Sequence, residues 1–301
     1  MAAMSDNLRG SMLMAASMAS FTINDACMKA TSDELPMFQA LFLRGVSTSL
    51  LMLVLAWMLG GLSLRFSSRD WMLILMRNVT EIGAAYFFLS ALFNMPLANA
   101  SAIMQALPLS VTLAGAVFMG EVVGWRRLSA IMFGFIGVML IVRPGAEGFS
   151  VYSLYALVAV TLVTARDIIS RKLSALVPSM TVALFNAVSV MVFFGLASIF
   201  IDWAPLSGKA AAQLGLASVL IIGGYLFSVS AMRVGEIAVV APFRYTSLLW
   251  ALLLGFVVFG DWPEPLTLLG AGIVVATGVY TFYRERRLRR PQFPPKTLRI
   301  R

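Results

Sequence analysis

Eight ionisable side chains stand inside long apolar stretches of this 301-residue sequence: Asp25, Lys29, Arg44, Arg77, Glu81, Arg166, Asp167 and Arg244. If those stretches cross a bilayer, each charge costs at least about 2.5 kcal/mol, so such groups face a cavity or one another. Their spacing is informative. Asp25 with Lys29, Arg77 with Glu81, and Asp167 with Arg171 all stand four residues apart, which puts each pair on one helix face as a potential ion pair. Five bases against three acids leave a positive surplus. A carboxylate, phosphate or polarised carbonyl on a small molecule would meet it, and arginine suits bidentate recognition of such groups. The simpler alternatives are self-neutralisation of the pairs near helix ends, and snorkelling of Arg44 or Arg244 to an interface. The chain has no histidine and one cysteine, Cys27, so a histidine relay, a cysteine metal cluster and an intrachain disulfide are excluded. No metal or cofactor is expected.

The elements that position these groups follow from composition. Hydrophobic residues make up 60% of the chain and charged residues 12%, against about 25% charged in a soluble domain. Stretches of about 20 apolar residues, each enough to span roughly 30 Å of hydrocarbon as helix, recur at 10–30, 37–59, 70–92, 98–119, 128–143, 151–173, 180–201, 213–232, 238–259 and 266–284. The fold class is therefore an all-α integral membrane protein with ten transmembrane helices. Short strands alternating with period two, the mark of a membrane barrel, are missing from the pattern. The joining segments are short and leave no room for a soluble catalytic domain, so the chain reads as no enzyme.

Net charge is +9, but its distribution argues against nucleic acid. Sixteen of the 23 basic residues fall on the side that holds both ends: Arg9, Arg65, Arg69, Arg126, Arg127, Arg171, Lys172, Arg233 and eight from Arg284 to Arg301. The positive-inside rule then places both termini in the cytoplasm. The tail 285–301 is expected to anchor that topology beside anionic lipid. A cleavable signal is not expected, because the first apolar run carries Asn24, Asp25 and Lys29.

The chain is also written twice. Thr22/Thr164, Asp25/Asp167, Lys29/Arg171 and Pro36/Pro178 pair at an offset of 142, while Gly83/Gly223, Ala98/Ala238, Gly115/Gly255 and the doublets Gly120-Glu121/Gly260-Asp261 pair at 140. Two repeats of five spans, 1–145 and 146–284, must lie inverted to each other, because an odd number of crossings reverses the second copy. Inverted repeats with a midplane site mark secondary transporters. Under that inversion Asp25 with Lys29 lies near the outer end of its helix and Asp167 with Arg171 near the inner end, which makes the two pairs gate candidates. Arg44, Arg77, Glu81 and Arg244 fall nearer the midplane, where substrate binds. Gln105 and Tyr245 occupy equivalent columns, Trp250 follows Tyr245, and these three complete the expected substrate set. Glu81 has Ile221 opposite it in the other copy; a proton-carrying role and a structural pair with Arg77 both remain open. Pro108 and Pro242 are expected to loosen their spans, the latter aiming Arg244 inward.

The runs Phe42-Leu43-Arg44-Gly45, Pro108 to Glu121 followed by Trp125-Arg126-Arg127, Gly134-Phe135-Ile136-Gly137, Arg143-Pro144-Gly145 and Ala241-Pro242-Phe243-Arg244-Tyr245 together resemble the EamA family of the drug/metabolite transporter superfamily. That resemblance covers nearly the whole chain, with Asp261 standing where glutamate is usual. It implies ten helices, a central cavity and alternating access. Asn24-Asp25 with Lys29, and Arg166-Asp167 with Arg171, look most like members carrying riboflavin or S-adenosylmethionine. The expected substrate is a small metabolite, with uptake of riboflavin or a similar flat heterocycle preferred. S-adenosylmethionine, an amino-acid derivative, or lipid flipping by the same fold are the alternatives. The expected partners are that substrate, the bilayer and a second copy of the chain.

Overall fold

The computed structural model describes residues 6–59, 66–121, 123–143, 150–174 and 176–289. Among them are twelve α-helices and no strand. They are α1 (Asp6–Ala30), α2 (Met37–Leu59), α3 (Ser68–Asn94), α4 (Leu97–Met104), α5 (Leu107–Met119), α6 (Trp125–Val142), α7 (Val151–Arg171), α8 (Ser179–Ala197), α9 (Gly208–Val234), α10 (Ile237–Val240), α11 (Thr246–Phe259) and α12 (Pro265–Arg289). Helices α4 and α5 form one broken span. So do α10 and α11, joined by a 3₁₀ turn over Ala241–Tyr245.

Nine of the resulting ten spans are long and apolar enough to cross a membrane among the described residues. The tenth, α1, falls short because its buried face is polar: Ser11, Ser17, Ser20, Thr22 and Asn24 are all enclosed. Ser17 donates to the Gly224 carbonyl on α9 at 2.6 Å. In a bundle core such hydroxyls bind helices together.

Several helices run past the apolar limits seen in the sequence. Ser67 and Ser207 accept from the backbone N–H groups of Asp70 and Ala210, so α3 and α9 start in polar segments that hydropathy leaves out. The α9 start at Gly208 lies five residues before the expected 213. Arg65, Pro144 and Gly145, together with residues 290–301 of the basic tail, lie outside the described residues.

The principal packing partners are α1 with α9, α3 with α7, α2 with α8, and α6 with α12. Each joins one repeat to the other. Applying the repeat offset turns the α1/α9 contact into α7/α3 and leaves α2/α8 and α6/α12 unchanged, as a two-fold axis between inverted copies requires. Neither repeat forms a bundle by itself. At the α6/α12 crossing a Cβ on Gly137 would stand 2.8 Å from the Gly270 carbonyl oxygen, and one on Gly270 2.5 Å from that of Gly137. Only glycine admits so close an approach. The face at which α1 begins is called the near face below, and its opposite the far face.

Candidate functional site

Charged groups from both repeats converge between the helices. Arg166 on α7 donates through Nη1 to Glu81 Oε2 on α3 at 2.9 Å and through Nη2 to its neighbour Asp167 at 2.8 Å. Asn186 on α8 also hydrogen-bonds Glu81. Arg77 donates through Nε to Ser170 Oγ at 3.0 Å and remains within electrostatic reach of Glu81 and Asp167. From α2, Arg44 reaches Asn24 Oδ1 at 3.4 Å and lies in the field of Asp25 and Glu81. Arg244, on the 3₁₀ turn, lies in that of Asp167 and Arg166. Four guanidiniums and three carboxylates thus form one cluster with a formal surplus of one positive charge.

The cluster is incompletely self-satisfied. Arg77 Nη1, Arg244 Nε, Asn78 Oδ1 and Asn186 Oδ1 are buried without a protein hydrogen-bond partner. Each such group costs about 1–3 kcal/mol when left unmet. Yet the side chains of Glu81, Arg166 and Asp167 keep 22%, 24% and 31% of their surface accessible.

The expected intrahelical pairing is corrected here. Glu81 is bridged by Arg166 rather than by Arg77. Asp25 accepts from Asn24 Nδ2 at 2.9 Å, not from Lys29, and Asp167 pairs with Arg166, not with Arg171. A neighbouring helix supplies the partner of Glu81, and the adjacent residue in sequence supplies that of Asp25 and of Asp167, in place of the same face one turn away.

Lys29 and Arg171 instead turn to helix ends at the two faces of the bundle. On the near face Arg171 Nη1 meets Glu121 Oε1 at 3.0 Å. On the far face Lys29 Nζ donates to the carbonyls of Leu92 and Met95 at 3.2 and 2.8 Å and lies over the Phe259 ring; Asp261 is within electrostatic reach, but no ion pair joins them among the described residues. The two acids are equivalent in the repeat. Gly120 and Gly260 each end a helix at φ +69°, and the following N–H closes onto Gly115 and Gly255 at 3.2 and 2.9 Å. In both stops glycine takes the left-handed position that ends a helix. It delivers Glu121 and Asp261 to helix C-termini, where the macrodipole disfavours an acid and calls for a cation.

The remaining expected residues divide. Gln105 sits at the break between α4 and α5 and donates to Ser247 Oγ at 2.6 Å, tying together the two broken spans. Trp250 is half-buried on α11. Tyr245 is buried against α12: its ring meets Phe282 at 6.5 Å, and a Cβ on Gly278 would strike its hydroxyl. Charge counting missed Asn24, Asn78, Asn186 and Ser170, which are neutral. Glu121 and Asp261 were visible as helix-end doublets but not as partners for Lys29 or Arg171.

Similarity to known proteins agrees with this architecture. The EamA-like transporter family model matches residues 8–143 and again 151–283. The S-adenosylmethionine uptake transporter of Rickettsia conorii is 27% identical over 90% of this chain and 91% of its own. The riboflavin transporter of Rhizobium johnstonii is 26% identical over 68% of each. The pseudopaline exporter CntI of Pseudomonas aeruginosa is 27% identical over 90% of this chain and 95% of its own. A protein of known crystal structure superposes with a TM-score of 0.65 over 93% of this chain and 98% of that one at 20% identity, a likeness of fold. With its two copies of the family pattern, its apolar spans and its transporter relatives, the chain is a multi-pass membrane protein, a transporter rather than an enzyme, and belongs to the EamA-like transporter family.

Proposed function

We propose that this protein is a secondary carrier of a bacterial inner membrane that moves a small organic metabolite by alternating access, with the near face and both termini in the cytoplasm. The basic residues Arg9, Arg69, Arg126, Arg127, Arg171, Lys172 and Arg233 on the near-face segments favour that orientation. The single observation that carries the reading is the mixed-charge cluster around Glu81, Arg166 and Asp167. It draws on both repeats, lies within the spans and keeps accessible surface. Groups of that kind mark substrate pathways.

A substrate with both a cationic group and a carboxylate fits such a cluster better than a neutral one. Carboxylates at Asp25, Glu81 and Asp167 face the cation, and the unmet edges of Arg77 and Arg244 face the anion. S-adenosylmethionine has both features, and relatives bearing that name align along most of the chain. Riboflavin remains the second reading through Trp250, Gln105 and the relatives that carry its name; the packing of Tyr245 into α12 removes one aromatic surface it would use.

The gates belong to the same proposal in revised form. Glu121 with Arg171 closes the near face, Asp261 with Lys29 closes the far face, and the two latches engage in turn. The engaged near latch and disengaged far latch suit substrate entry from the far face, hence uptake. Proteoliposomes loaded with the purified protein are expected to accumulate labelled S-adenosylmethionine, and Arg244→Ala to reduce that uptake at least about tenfold. Accumulation of riboflavin alone in parallel vesicles supports the second reading, and accumulation of neither discards both substrates.

A further inference from the structure

The α6/α12 contact carries a feature that transport does not use. On the near-face side of the Gly137/Gly270 crossing, a groove of about 470 Å³ lies between Trp125, Arg126, Ser129 and Phe133 of α6 and Thr277 and Tyr280 of α12. A second hollow of about 300 Å³ continues along α6 past Met132 to Ile136. The walls are apolar and face outward: Trp125 is 74% exposed, Phe133 60%, Met132 56% and Ile136 53%. The rim is charged. Arg126 lies 5.2 Å from the centroid of the Trp125 ring and has no carboxylate partner among the described residues.

Length and charge together define an occupant. From Trp125 to Ile136 the helix rises about 16 Å, close to half of the roughly 30 Å hydrocarbon thickness. The groove therefore spans one leaflet, with Trp125, Arg126 and Tyr280 at headgroup depth, where amphipathic aromatics gather. We propose that it holds one anionic phospholipid of the near-face leaflet. The phosphate rests against the Arg126 guanidinium, and an acyl chain runs past Ser129 and Phe133 toward Ile136. A second copy of this chain fits less well, because a two-fold contact through this face sets Arg126 at the same depth as its own copy.

Native mass spectrometry of the full-length protein, after exchange into equal amounts of phosphatidylglycerol and phosphatidylcholine, tests this. The expected result is one retained phosphatidylglycerol, preferred about fivefold. Arg126→Glu is expected to abolish the preference, and Ser129→Trp, which fills the groove and keeps the charge, to lose retention of either lipid. Arg126→Ala serves where the reversal fails to express. Equal retention of both lipids by the wild type, unchanged preference in Arg126→Glu and Arg126→Ala, or a dimer that excludes lipid from Trp125 would each overturn the proposal.

Discussion

The near and far ends of this molecule are built from equivalent parts and are joined differently. Each has a helix stopped by a left-handed glycine, an acid next to it and a cation from the first helix of a repeat. At the near end acid and cation meet at 3.0 Å, whereas at the far end the cation turns to the carbonyls of α3. Under the proposed cycle these are two latches, of which this conformation engages one. The side chains of Arg171 and Glu121 are 44% and 42% exposed, so their pair contributes only about 0.2–1 kcal/mol. A contact that weak biases a two-state equilibrium by up to about fivefold. That suits a gate, which has to open in every cycle.

The largest effect is expected from charge reversal at the engaged end. Arg171→Glu replaces an attraction of about 0.2–1 kcal/mol by a repulsion of similar size, and uptake by the variant should fall about tenfold. The double swap Arg171→Glu with Glu121→Arg should recover most of it. Failure of the swap to recover would assign Arg171 a role other than partnering Glu121.

Removal of the cations sharpens the contrast between the ends. Arg171→Ala is expected to raise the reactivity of a thiol reagent at near-face cysteines by about fivefold, the upper value of an exposed pair. Lys29→Ala should change far-face reactivity by less than about twofold, because that latch is disengaged. A smaller difference is expected from the glycines. A Cβ on Gly115 would stand 2.7 Å from Glu121 Oε2, while one on Gly255 finds the nearest Asp261 atom, its carbonyl oxygen, at 3.5 Å. Gly115→Ala should therefore reduce uptake more than Gly255→Ala does.

The smallest effect is a pH dependence confined to the far face. The Ser207 hydroxyl and Lys209 ammonium hold the exposed Glu34 carboxyl below the ordinary carboxylate range. A depressed carboxylate contributes above its unfolded pKa, about 4.3, and its contribution is lost as pH falls through the lower folded value. Acidification in that window should loosen the loop before α9 in hydrogen exchange and leave the near face unchanged. Equal loosening at both faces would break the contrast.

Much of the fold was legible in the sequence, because a bilayer demands long apolar helices and punishes buried charge. Both constraints leave marks that survive without coordinates. The ten spans and the inverted repeat come from the first, and the set of eight charges within the spans from the second; that Arg166 and the gate candidates Asp25 and Asp167 join the midplane group was not legible. Pairing was not legible. The four-residue rule describes an isolated helix, but Arg166 on α7 reaches Glu81 across an inter-repeat contact that helix spacing does not encode. Neutral site groups such as Asn78 and Asn186 carry no cost large enough to stand out in a sequence. Nor was the seat of Tyr245 legible, because it packs against Gly278, 33 residues away on another span.

Alternate latching is tested most directly by paired distance measurements on the two ends of one population. Spin labels at Ser32 and Trp262 report the far face, and labels at Val123 and Lys172 the near face, each pair introduced in a Cys27→Ser background. Alternate latching predicts that substrate shortens the far-face distance in the same fraction of molecules in which it lengthens the near-face distance. Distances that shorten together, or that ignore substrate, would contradict it.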